Sequence, residues 1–400
     1  MNNAMKAFDT AQMSEQSDNI RVAIQQPVLP AYRAPVFRAL SERPGIDLKL
    51  YYGDRANSPS NVEAIGFEAE MVHLSERRLV KHPIIWHKPQ WQCASKKTCD
   101  ALILTWDLHY LSLVPGLVRA RANGVRTILW GHGYSKNESA LRSWPRNRVA
   151  ALADALLFYN EPTAKHFIDS GWDPKRIYTA SNTIDQNPIQ EARNYWLDRP
   201  EDLNQFKQEN KLDQGHVIIF VSRLDPENRL DLLIQSLPAL CKQFAALQTI
   251  VIGKGDEERR RLSDIAELLG VSQSIRFLGP IYNEQELAPW MISADLFCYP
   301  ANIGLSILHA FGYGLPVITS DKTSSQNPEI VSLQNYVNGL TYEDNKSDML
   351  TQAISQVLGD AAFRSKLSQH AYKTATEVFS IKNMVDGMEA AIRGSVSPIP

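Results

Sequence analysis

The stretch 295-DLFCYPANIGLSILHAFGYGLPVITS-320 reads as a strand, a loop, a helix and a second strand. Its outer segments, 295–300 and 315–320, have the length of buried strands, and the apolar run between them has helical length. A strand, a crossover helix and a second strand are typical of a parallel sheet covered by helices. Between Asp295 and Asp321 no residue is charged, and a single His309 lies near the middle.

The same alternation of strands and helices continues on both sides of this stretch. In the second half of the chain we predict strands at 216–223, 248–255 and 274–280, each followed by a helix, at 230–243, 256–270 and 284–293. In the first half we predict strands at 20–27, 47–54, 101–107, 125–133, 154–160 and 176–182. The pattern predicts an α/β protein with two doubly wound, Rossmann-like domains, each with its ligand outside the carboxyl ends of the strands.

Two polar segments set the expected domain limits. Residues 1–19 have no apolar core and are expected to form a disordered lead, and the polar segment 186–213 interrupts the alternation. We therefore expect an N-terminal domain over 20–195, a C-terminal domain over 196–382, and a C-terminal helix and tail over 383–400 that crosses back to the first domain. The segment 68–92 reads as irregular, basic and aromatic.

Composition excludes several classes of protein. The formal net charge is −2, which disfavours a nucleic-acid protein with a broad basic surface. The four Cys, at 93, 99, 241 and 298, match no zinc spacing, so buried or free thiols in the cytosol are expected. The chain has no Asp-x-Asp pair to hold a metal and no run of about eighteen apolar residues. A cytoplasmic protein without a metal is the resulting prediction.

Three loops that follow predicted strands are candidates for binding an anion. Arg223 ends the strand 216–223, and a cation at the carboxyl end of a strand can hold a diphosphate. Gly253, Lys254 and Gly255 form a tight turn after the next strand. The helix that starts near Gly304 offers free backbone N–H groups, so this uncharged stretch can meet an anion through its backbone.

The order of four segments resembles family 4 of the retaining glycosyltransferases. These segments are 223-RLDPEN-228, 252-IGKGDEE-258, 275-IRFLGPIYNEQELAPWMISADLFCYP-300 and 303-IGLSILHAFGYGLPVITSD-321. The resemblance covers about residues 20 to 385 and is strongest in the second half. It implies the GT-B fold, in which two Rossmann-like domains face each other across a cleft. It also implies a nucleotide-sugar donor on the C-terminal domain and an acceptor on the N-terminal domain.

The resemblance assigns donor contacts in the C-terminal domain. Arg223 matches the family's diphosphate-binding Arg, whereas the matching Lys position falls on Asn228, with Arg229 next to it. The full set of expected donor-binding residues is Arg223, Arg229, Gly253, Lys254, Gly255, Pro280, Tyr282, Ile303, Gly304, Leu305, Ser306 and His309. The amides at Ile303 to Leu305, with Arg223, are expected to stabilise the leaving diphosphate.

Two acids of the family pattern are absent. With Gly304 fixing the alignment, the family's two Glu positions fall on Ala301 and His309. An imidazole can replace part of a ribose contact, because it can exchange one hydrogen bond with a hydroxyl. A buried His309 bonded to a backbone carbonyl is the other interpretation. Three explanations stay open: a subgroup that binds its donor with backbone groups and a His, a different donor, or lost activity.

The N-terminal half supplies the expected acceptor side. The motif 130-WGHG-133 resembles the family's histidine element, so we expect His132 to bind the transferred sugar and Gly133 to allow a ligand to approach. His132 and Arg223 are the predicted catalytic residues. Expected acceptor contacts are Tyr32 and Arg33, where an Arg suits a phosphate, and Asp107 and His109, which follow another strand.

The resemblance predicts a sugar transfer from a UDP- or GDP-linked donor to a glycan or lipid-linked acceptor, with retention, in bacterial surface polysaccharide or glycoconjugate synthesis. No cofactor and no nucleic acid are expected. Two basic segments with apolar residues, 73–91 and 141–157, suggest peripheral contact with the inner face of a membrane, or else solvated surfaces. The alternatives are a non-catalytic nucleotide-sugar-binding protein and an epimerase or phosphorylase of the same two-domain shape.

Overall fold

The computed structural model describes residues 19–54, 61–79, 82–134 and 140–395, and the chain divides into two compact units. Unit 1 comprises Met1–Ser181 and Ile381–Pro400, and unit 2 comprises Asn182–Ser380. The division therefore comes earlier in the chain than the boundary that we expected after residue 195. The expected lead, residues 1–19, lies almost entirely outside the described residues.

Unit 1 is built on a parallel sheet of seven strands in the order β3-β2-β1-β6-β7-β8-β9. A separate antiparallel hairpin, β4–β5, follows β3 in the chain. Strand order reverses between β1 and β6, where Val22 lies opposite Ala101, and such a switch point is where ligands bind in open α/β sheets. The strands are β1 (Ile20–Gln26), β2 (Ile46–Gly53), β3 (Glu68–Val72), β4 (Ser75–Leu79), β5 (His82–Trp86), β6 (Ala101–Thr105), β7 (Arg126–Gly131), β8 (Ala155–Phe158) and β9 (Ile177–Thr179).

Helices cover both faces of this sheet, because its central strands are apolar on both sides. One layer of core includes Val36 and Phe37 from the first helix, and the opposite layer includes Leu113 and Leu117. These two layers give the sandwich that the apolar strands predicted. The helices are α1 (Ala34–Ser41), α2 (Lys88–Gln92), α3 (Leu113–Ala122), α4 (Ala140–Ala150) and α5 (Glu161–Asp169).

Unit 2 repeats the design with a six-stranded parallel sheet in the order β12-β11-β10-β13-β14-β15. Its switch point lies between β10 and β13, where Ile218 is opposite Leu296. The loops after β11, β10 and β13 are therefore neighbours at one edge of the sheet. The strands are β10 (Val217–Val221), β11 (Gln248–Ile252), β12 (Ile275–Gly279), β13 (Leu296–Cys298), β14 (Val317–Ser320) and β15 (Gly339–Tyr342).

The helices of unit 2 pack on one continuous apolar core. They are α6 (Asn187–Leu197), α7 (Pro200–Glu209), α8 (Leu230–Gln243), α9 (Asp256–Leu268), α10 (Glu284–Ile292), α11 (Ser306–Gly312), α12 (Ser347–Gly359) and α13 (Ala361–Lys373). A π-helical turn, Thr374–Val378, follows α13. No helix in the described ranges has the length and apolar character needed to cross a bilayer.

The last helix, α14 (Ile381–Arg393), belongs to unit 1. It buries Met384, Val385 and Met388 in the same core layer as α1. A Cβ atom on Gly387 would lie 1.8 Å from the Thr179 carbonyl oxygen, so glycine lets the helix backbone rest directly on β9.

Two segments have more regular structure than their sequences indicated. The segment 68–92, expected to be irregular, contains β3, the β4–β5 hairpin and α2. The polar segment 186–213, expected to separate the domains, contains α6 and α7, and α6 packs on the core of unit 2 through Ile189 and Ala192. The expected boundary after residue 195 thus falls inside a helix, and the partly buried Trp196 also packs on the same core.

Candidate active site

Arg223 follows β10 at the carboxyl edge of unit 2, with its side chain exposed. No ion pair engages its guanidinium among the residues that the structure describes. Its carbonyl accepts a hydrogen bond of 2.7 Å from Nδ2 of Asn228, which is buried. Asn228, at the family's Lys position, thus closes the loop after β10 instead of offering a charge.

Arg229 does not supply a free second cation. Its backbone is left-handed, with φ of 56°, and its guanidinium makes two bonds of 3.1 Å to the Asp231 carboxylate. It also contacts the side chain of Asn345. The hydrogen bond to Asp231 raises the pKa of Arg229, so this charge is already paired. The expectation that Arg229 compensates for Asn228 finds no support in these contacts.

The loop Gly253–Gly255 lies beside Arg223. The Leu224 N–H donates to the Lys254 carbonyl over 2.8 Å, and a Cβ on Gly253 would lie only 1.6 Å from the Ser222 carbonyl oxygen. The two glycines are therefore required by the contact between two backbone loops. The Lys254 side chain is exposed and, within the described part of the chain, has no acidic partner. Lys254 and Arg223 are thus two unpaired cations on adjoining loops.

The third loop, after β13, offers fewer amides than expected. The Ile303 N–H donates to Oε1 of the buried Gln326 over 2.7 Å, so it is not available to a ligand. The N–H groups of Gly304 and Leu305 have no acceptor in the described ranges. The Ala301 N–H donates to the Asn228 carbonyl over 3.1 Å, which joins this loop to the loop after β10. Ser306 is the first residue of α11.

His309 is paired with an acid that the sequence did not single out. Its Nε2 lies 2.8 Å from Oε1 of Glu284, and the Tyr313 hydroxyl donates to the same oxygen over 2.5 Å. Burial acts to raise the pKa of Glu284, but the hydrogen bond and charge of His309 and the Tyr313 hydroxyl outweigh it, so the pKa is lowered. The alternative of a His309 bonded to a backbone carbonyl is wrong.

A second acid lies next to the other missing position. Oε2 of Glu227 is 3.3 Å from Nδ2 of Asn302, which directly follows Ala301. Ala301 itself is buried. Glu227 and Glu284 both follow a strand at the carboxyl edge of unit 2. Only the rule that parallel strands share that edge could have drawn attention to them, because their spacing from residues 301 and 309 is not a motif. Pro280 and Tyr282, in the loop after β12, are exposed.

Arg33, in unit 1, is only 4 % exposed. Its guanidinium carbon lies 4.6 Å from the Trp130 ring centre, 5.1 Å from that of Tyr159 and 5.3 Å from that of Tyr32. Nη1 is 3.7 Å from Sδ of Met384, and no carboxylate of the described residues forms an ion pair with it. Arg33, which we expected to contact the acceptor, is therefore held within an aromatic cluster. Trp130 and Tyr159 were missed, since nothing in the sequence links them to Arg33.

His132 lies near that cluster. Its exposed ring follows β7, and its centre is 4.8 Å from the ring centre of Tyr159, which also contacts Arg33. Gly133 has φ of +70°, and a Cβ there would lie 2.6 Å from Cε1 of Phe158. Packing against Phe158 thus accounts for Gly133, which we had expected to serve ligand approach. Gly133 also lines a cavity of about 270 Å³ with Trp172 and His166.

Asp107 and His109 contact each other. Oδ1 of Asp107 lies 2.7 Å from Nδ1 of His109 and accepts the His109 N–H over 2.9 Å. Both residues follow a strand, β6, as the sequence predicted, and this strand lies next to β1 at the switch point of unit 1. In neither unit do the described residues include a group of His, Cys, Asp and Glu that could hold a metal ion.

Comparison with known proteins gives this geometry a context. Residues 201–374 match the family model for glycosyl transferases group 1. A D-inositol 3-phosphate glycosyltransferase of Salinispora arenicola is 27% identical over 239 residues, which are 57% of this chain and 49% of that protein. A phosphatidyl-myo-inositol mannosyltransferase of Mycobacterium leprae is 32% identical over 112 residues, which are 27% of this chain and 29% of that protein. The chain thus spans half or less of the length of these curated relatives.

Solved structures extend the likeness of the fold to nearly the whole chain. Anabaena HepE in complex with UDP has a TM-score of 0.69 and 16% identity, covering 94% of this chain and 99% of that one. A glycosyltransferase from Rickettsia africae has a TM-score of 0.71 and 12% identity, covering 94% and 98%. Unit 2 is thus similar to the glycosyl transferases of group 1, and the chain has the two Rossmann-like domains of the GT-B fold.

Proposed function

We propose that the protein is a glycosyltransferase that moves a sugar from a nucleoside diphosphate sugar to a glycan or lipid-linked acceptor. The observation that carries this proposal is the edge of unit 2. There, two unpaired cations, Arg223 and Lys254, follow adjacent strands, and the loop with two unpaired amides at Gly304 and Leu305 follows the next one. Cations and backbone N–H groups are the donors that a diphosphate accepts best.

In this proposal Lys254 is the second cation that binds the diphosphate, beside Arg223. Asn228 is buried and Arg229 is paired with Asp231, so neither offers a charge to a ligand. Lys254 is exposed, and the bond between Leu224 and Lys254 holds its loop against that of Arg223. A leaving diphosphate held by these groups needs no metal, since fixed positive charge stabilises the charge that develops.

The two acids complete the proposed donor site. Glu284, bonded to His309 and Tyr313, supplies the carboxylate that position 309 lacks, and Glu227, beside Asn302, supplies the one that position 301 lacks. A carboxylate accepts hydrogen bonds from sugar or ribose hydroxyls. This arrangement favours an active enzyme over a non-catalytic binder or an epimerase. Retention, the UDP- or GDP-linked donor and a role in bacterial surface polysaccharide or glycoconjugate synthesis follow from the family resemblance.

The acceptor belongs to unit 1 in this proposal. His132 is exposed next to Tyr159, and Asp107 and His109 form an exposed pair at the neighbouring switch point. His132 hydrogen-bonds the transferred sugar, and an acceptor on a lipid carrier brings the protein to the cytoplasmic face of a membrane. The complexes of Anabaena HepE with UDP and UDP-glucose support a nucleotide-sugar donor.

Titration of UDP and GDP into the protein tests the donor site directly. Arg223→Ala and Lys254→Ala should each weaken nucleoside diphosphate binding by about 1.5–3 kcal/mol, the contribution of a charge-assisted hydrogen bond. Lys242→Ala is the matched control, because Lys242 is exposed in the last turn of α8, away from the carboxyl edge where that helix begins. Equal affinity in all three variants would contradict the proposed diphosphate site.

Labelled UDP- and GDP-sugars then separate the functions. Slow hydrolysis of the donor, or transfer to an added acceptor, supports a transferase. Binding without turnover supports a non-catalytic binder, and a changed sugar on an intact nucleotide supports an epimerase.

A further inference from the structure

A cavity of about 320 Å³ lies at the amino edge of the sheet in unit 2. Among its lining residues, Asp295 directly precedes β13, and Gly314 and Leu315 lie shortly before β14. Both strands therefore begin beside the cavity. The loops with Arg223 and Lys254 follow the carboxyl ends of the neighbouring strands, at the opposite edge of the same parallel sheet. The cavity is thus separate from the proposed donor site.

Arg193, on α6, brings an unpaired charge to this cavity. Its side chain is half-buried, and its guanidinium carbon lies 4.9 Å from the ring centre of Tyr372. Among the described residues it forms neither an ion pair nor a hydrogen bond. Burial and the nearby Glu284 raise the pKa of Tyr313, which also lines the cavity, and the charge of Arg193 acts against this shift. A partly desolvated cation of this kind is best compensated by an anion.

A second arginine, Arg364 on α13, is fixed by its own contacts. Its Nε lies 3.3 Å from Oδ1 of Asp295, and Nη1 donates to the carbonyls of Val357 and Leu358 over 3.2 Å and 3.0 Å. Nη2 has no hydrogen-bond partner within the described ranges. Of the described residues that line the cavity, Asp295 is the single acid, against two arginines. Positive charge is therefore in excess there.

One face of α13 adds a hydroxyl to these charges. Arg364, Ser365 and Ser368 all line the cavity, because residues three and four positions apart are neighbours on a helix. The Ser368 hydroxyl donates to the Gly314 carbonyl, whereas the exposed Ser365 hydroxyl has no partner in the described part of the chain. The guanidinium of Arg193, Nη2 of Arg364 and the Ser365 hydroxyl are thus three available donors around one cavity.

We infer that this cavity binds a small phosphate monoester, about the size of a sugar phosphate, through Arg193, Arg364 and Ser365. A phosphate monoester has three terminal oxygens, which suit three donors on two helices better than the two oxygens of a carboxylate. The volume is at the lower end of the range for small-molecule sites, which favours a ligand smaller than a nucleotide sugar. The remaining wall includes three apolar side chains, those of Leu197, Met291 and Leu315.

Calorimetric titration of the full-length protein tests this site. The probes are glycerol 3-phosphate and glucose 1-phosphate, with glucose as the neutral control and succinate as the carboxylate control. We expect both phosphate esters to bind, glucose not to bind, and succinate to bind at least tenfold more weakly than the esters. No UDP is present in these titrations, so their failure is distinct from a failure of the transferase proposal.

Two pairs of variants locate the bound ester. Arg193→Gln should weaken its binding by about tenfold or more. Arg199→Gln is the matched control, because this guanidinium also stacks on a tyrosine, 3.9 Å from the ring centre of Tyr195, but does not line the cavity. Ser365→Glu sets a carboxylate among the donors and should abolish binding. Lys366→Gln changes the net charge equally at a position outside the cavity and should bind as the parent does.

Thermal unfolding verifies that each variant is folded, and Arg223→Ala is titrated in parallel because the donor edge is the competing phosphate site. Loss of binding in Arg223→Ala with full binding in Arg193→Gln would locate the ester at the donor edge and overturn the inference. Absence of binding to the parent would also overturn it and leave Arg193 on Tyr372 as a packing contact. Equal binding of succinate and the esters would contradict the assigned phosphate chemistry.

Discussion

The carboxyl edges of the two parallel sheets both carry cationic side chains, but those of unit 2 are exposed and that of unit 1 is buried. In unit 2 the cations Arg223 and Lys254 are exposed and have no acidic partner among the described residues, and they lie on loops held by backbone contacts. In unit 1 the cation Arg33 is buried among aromatic rings. The first edge presents charge to a ligand, whereas the second uses its charge for packing. A doubly wound sheet therefore fixes where a ligand binds, and the loop contacts decide what is offered to it.

The largest expected effect comes from breaking the loop contact in unit 2. Gly253→Ala sets a Cβ at 1.6 Å from the Ser222 carbonyl, and both partners are backbone, so no side chain can move aside. We expect a loss of about 3 kcal/mol or more in the free energy of unfolding and loss of nucleoside diphosphate binding. Urea unfolding and calorimetric titration measure the two effects.

Gly359→Ala is the control for that change. Nothing lies within 4 Å of a Cβ at this last residue of α12, so alanine should leave stability equal or slightly higher. If Gly253→Ala were as harmless as Gly359→Ala, the loops would not depend on their backbone contact.

The next effect tests the packed cation of unit 1. Arg33→Ala should cost about 2–3 kcal/mol of stability through lost packing and cation–π contacts, with little change in UDP affinity. Arg148→Ala is a matched comparison, because its guanidinium lies 5.2 Å from the ring centre of Trp144 but at an exposed site. It should cost less than about 0.5 kcal/mol. Equal costs in thermal unfolding would mean that burial does not strengthen the Arg33 cluster.

Acid should distinguish the units as well. Burial lowers the pKa of His87 in unit 1 to about 4, although the nearby Gln26 backbone favours the charged form. Below the unfolded value of about 6.5 the unfolded chain binds a proton that the folded unit does not. Stability should therefore fall between pH 6.5 and pH 4, by about 2 kcal/mol at pH 5 relative to pH 7.

Urea unfolding at the two pH values measures this loss, and hydrogen exchange shows which unit opens first. His87→Gln removes the titrating group and should show a smaller difference between pH 7 and pH 5. The same difference in both proteins would assign the acid sensitivity to other groups.

The smallest expected effect tests whether Glu284 belongs to the proposed donor site in unit 2. Glu284→Gln keeps the shape of the side chain and removes its charge, so the bond to His309 weakens and the proposed ribose acceptor is lost. We expect nucleoside diphosphate affinity to fall by about 1 kcal/mol. Glu286→Gln, on the same helix but exposed, should have no effect. Equal affinities in both variants would remove Glu284 from the proposed site.

Much of this fold follows from periodicity. The predicted helix 230–243 coincides with α8, and the predicted strand 248–255 contains β11. Short apolar strands between amphipathic helices leave few other arrangements. Periodicity did not predict the helices of the segment 186–213. The surface of α6 is polar, and the helix packs through only a few side chains such as Ile189 and Ala192.

The candidate site was predictable only where a motif is local. The residues themselves pointed to the loops that contain Arg223 and Gly253–Gly255, and the family resemblance assigned the two acid positions to Ala301 and His309. All of these lie in short stretches. Spacing did not identify Glu284, because the contact with His309 joins residues 25 positions apart. It also did not predict the burial of Arg33, since two of the three rings around it, Trp130 and Tyr159, are far away in the chain. Contacts between residues that are distant in the sequence follow no fixed spacing, so no motif predicts them.

The return of α14 to unit 1 has a consequence for biosynthesis. Unit 2 is one unbroken length of chain, whereas the core of unit 1 includes Met384, Val385 and Met388, which are translated after all of unit 2. A nascent chain can thus complete its second unit while the first still exposes the apolar groove meant for α14. Chaperones that recognise such surfaces would be needed until synthesis passes residue 393, and premature termination shortly after residue 380 would leave unit 1 prone to aggregation.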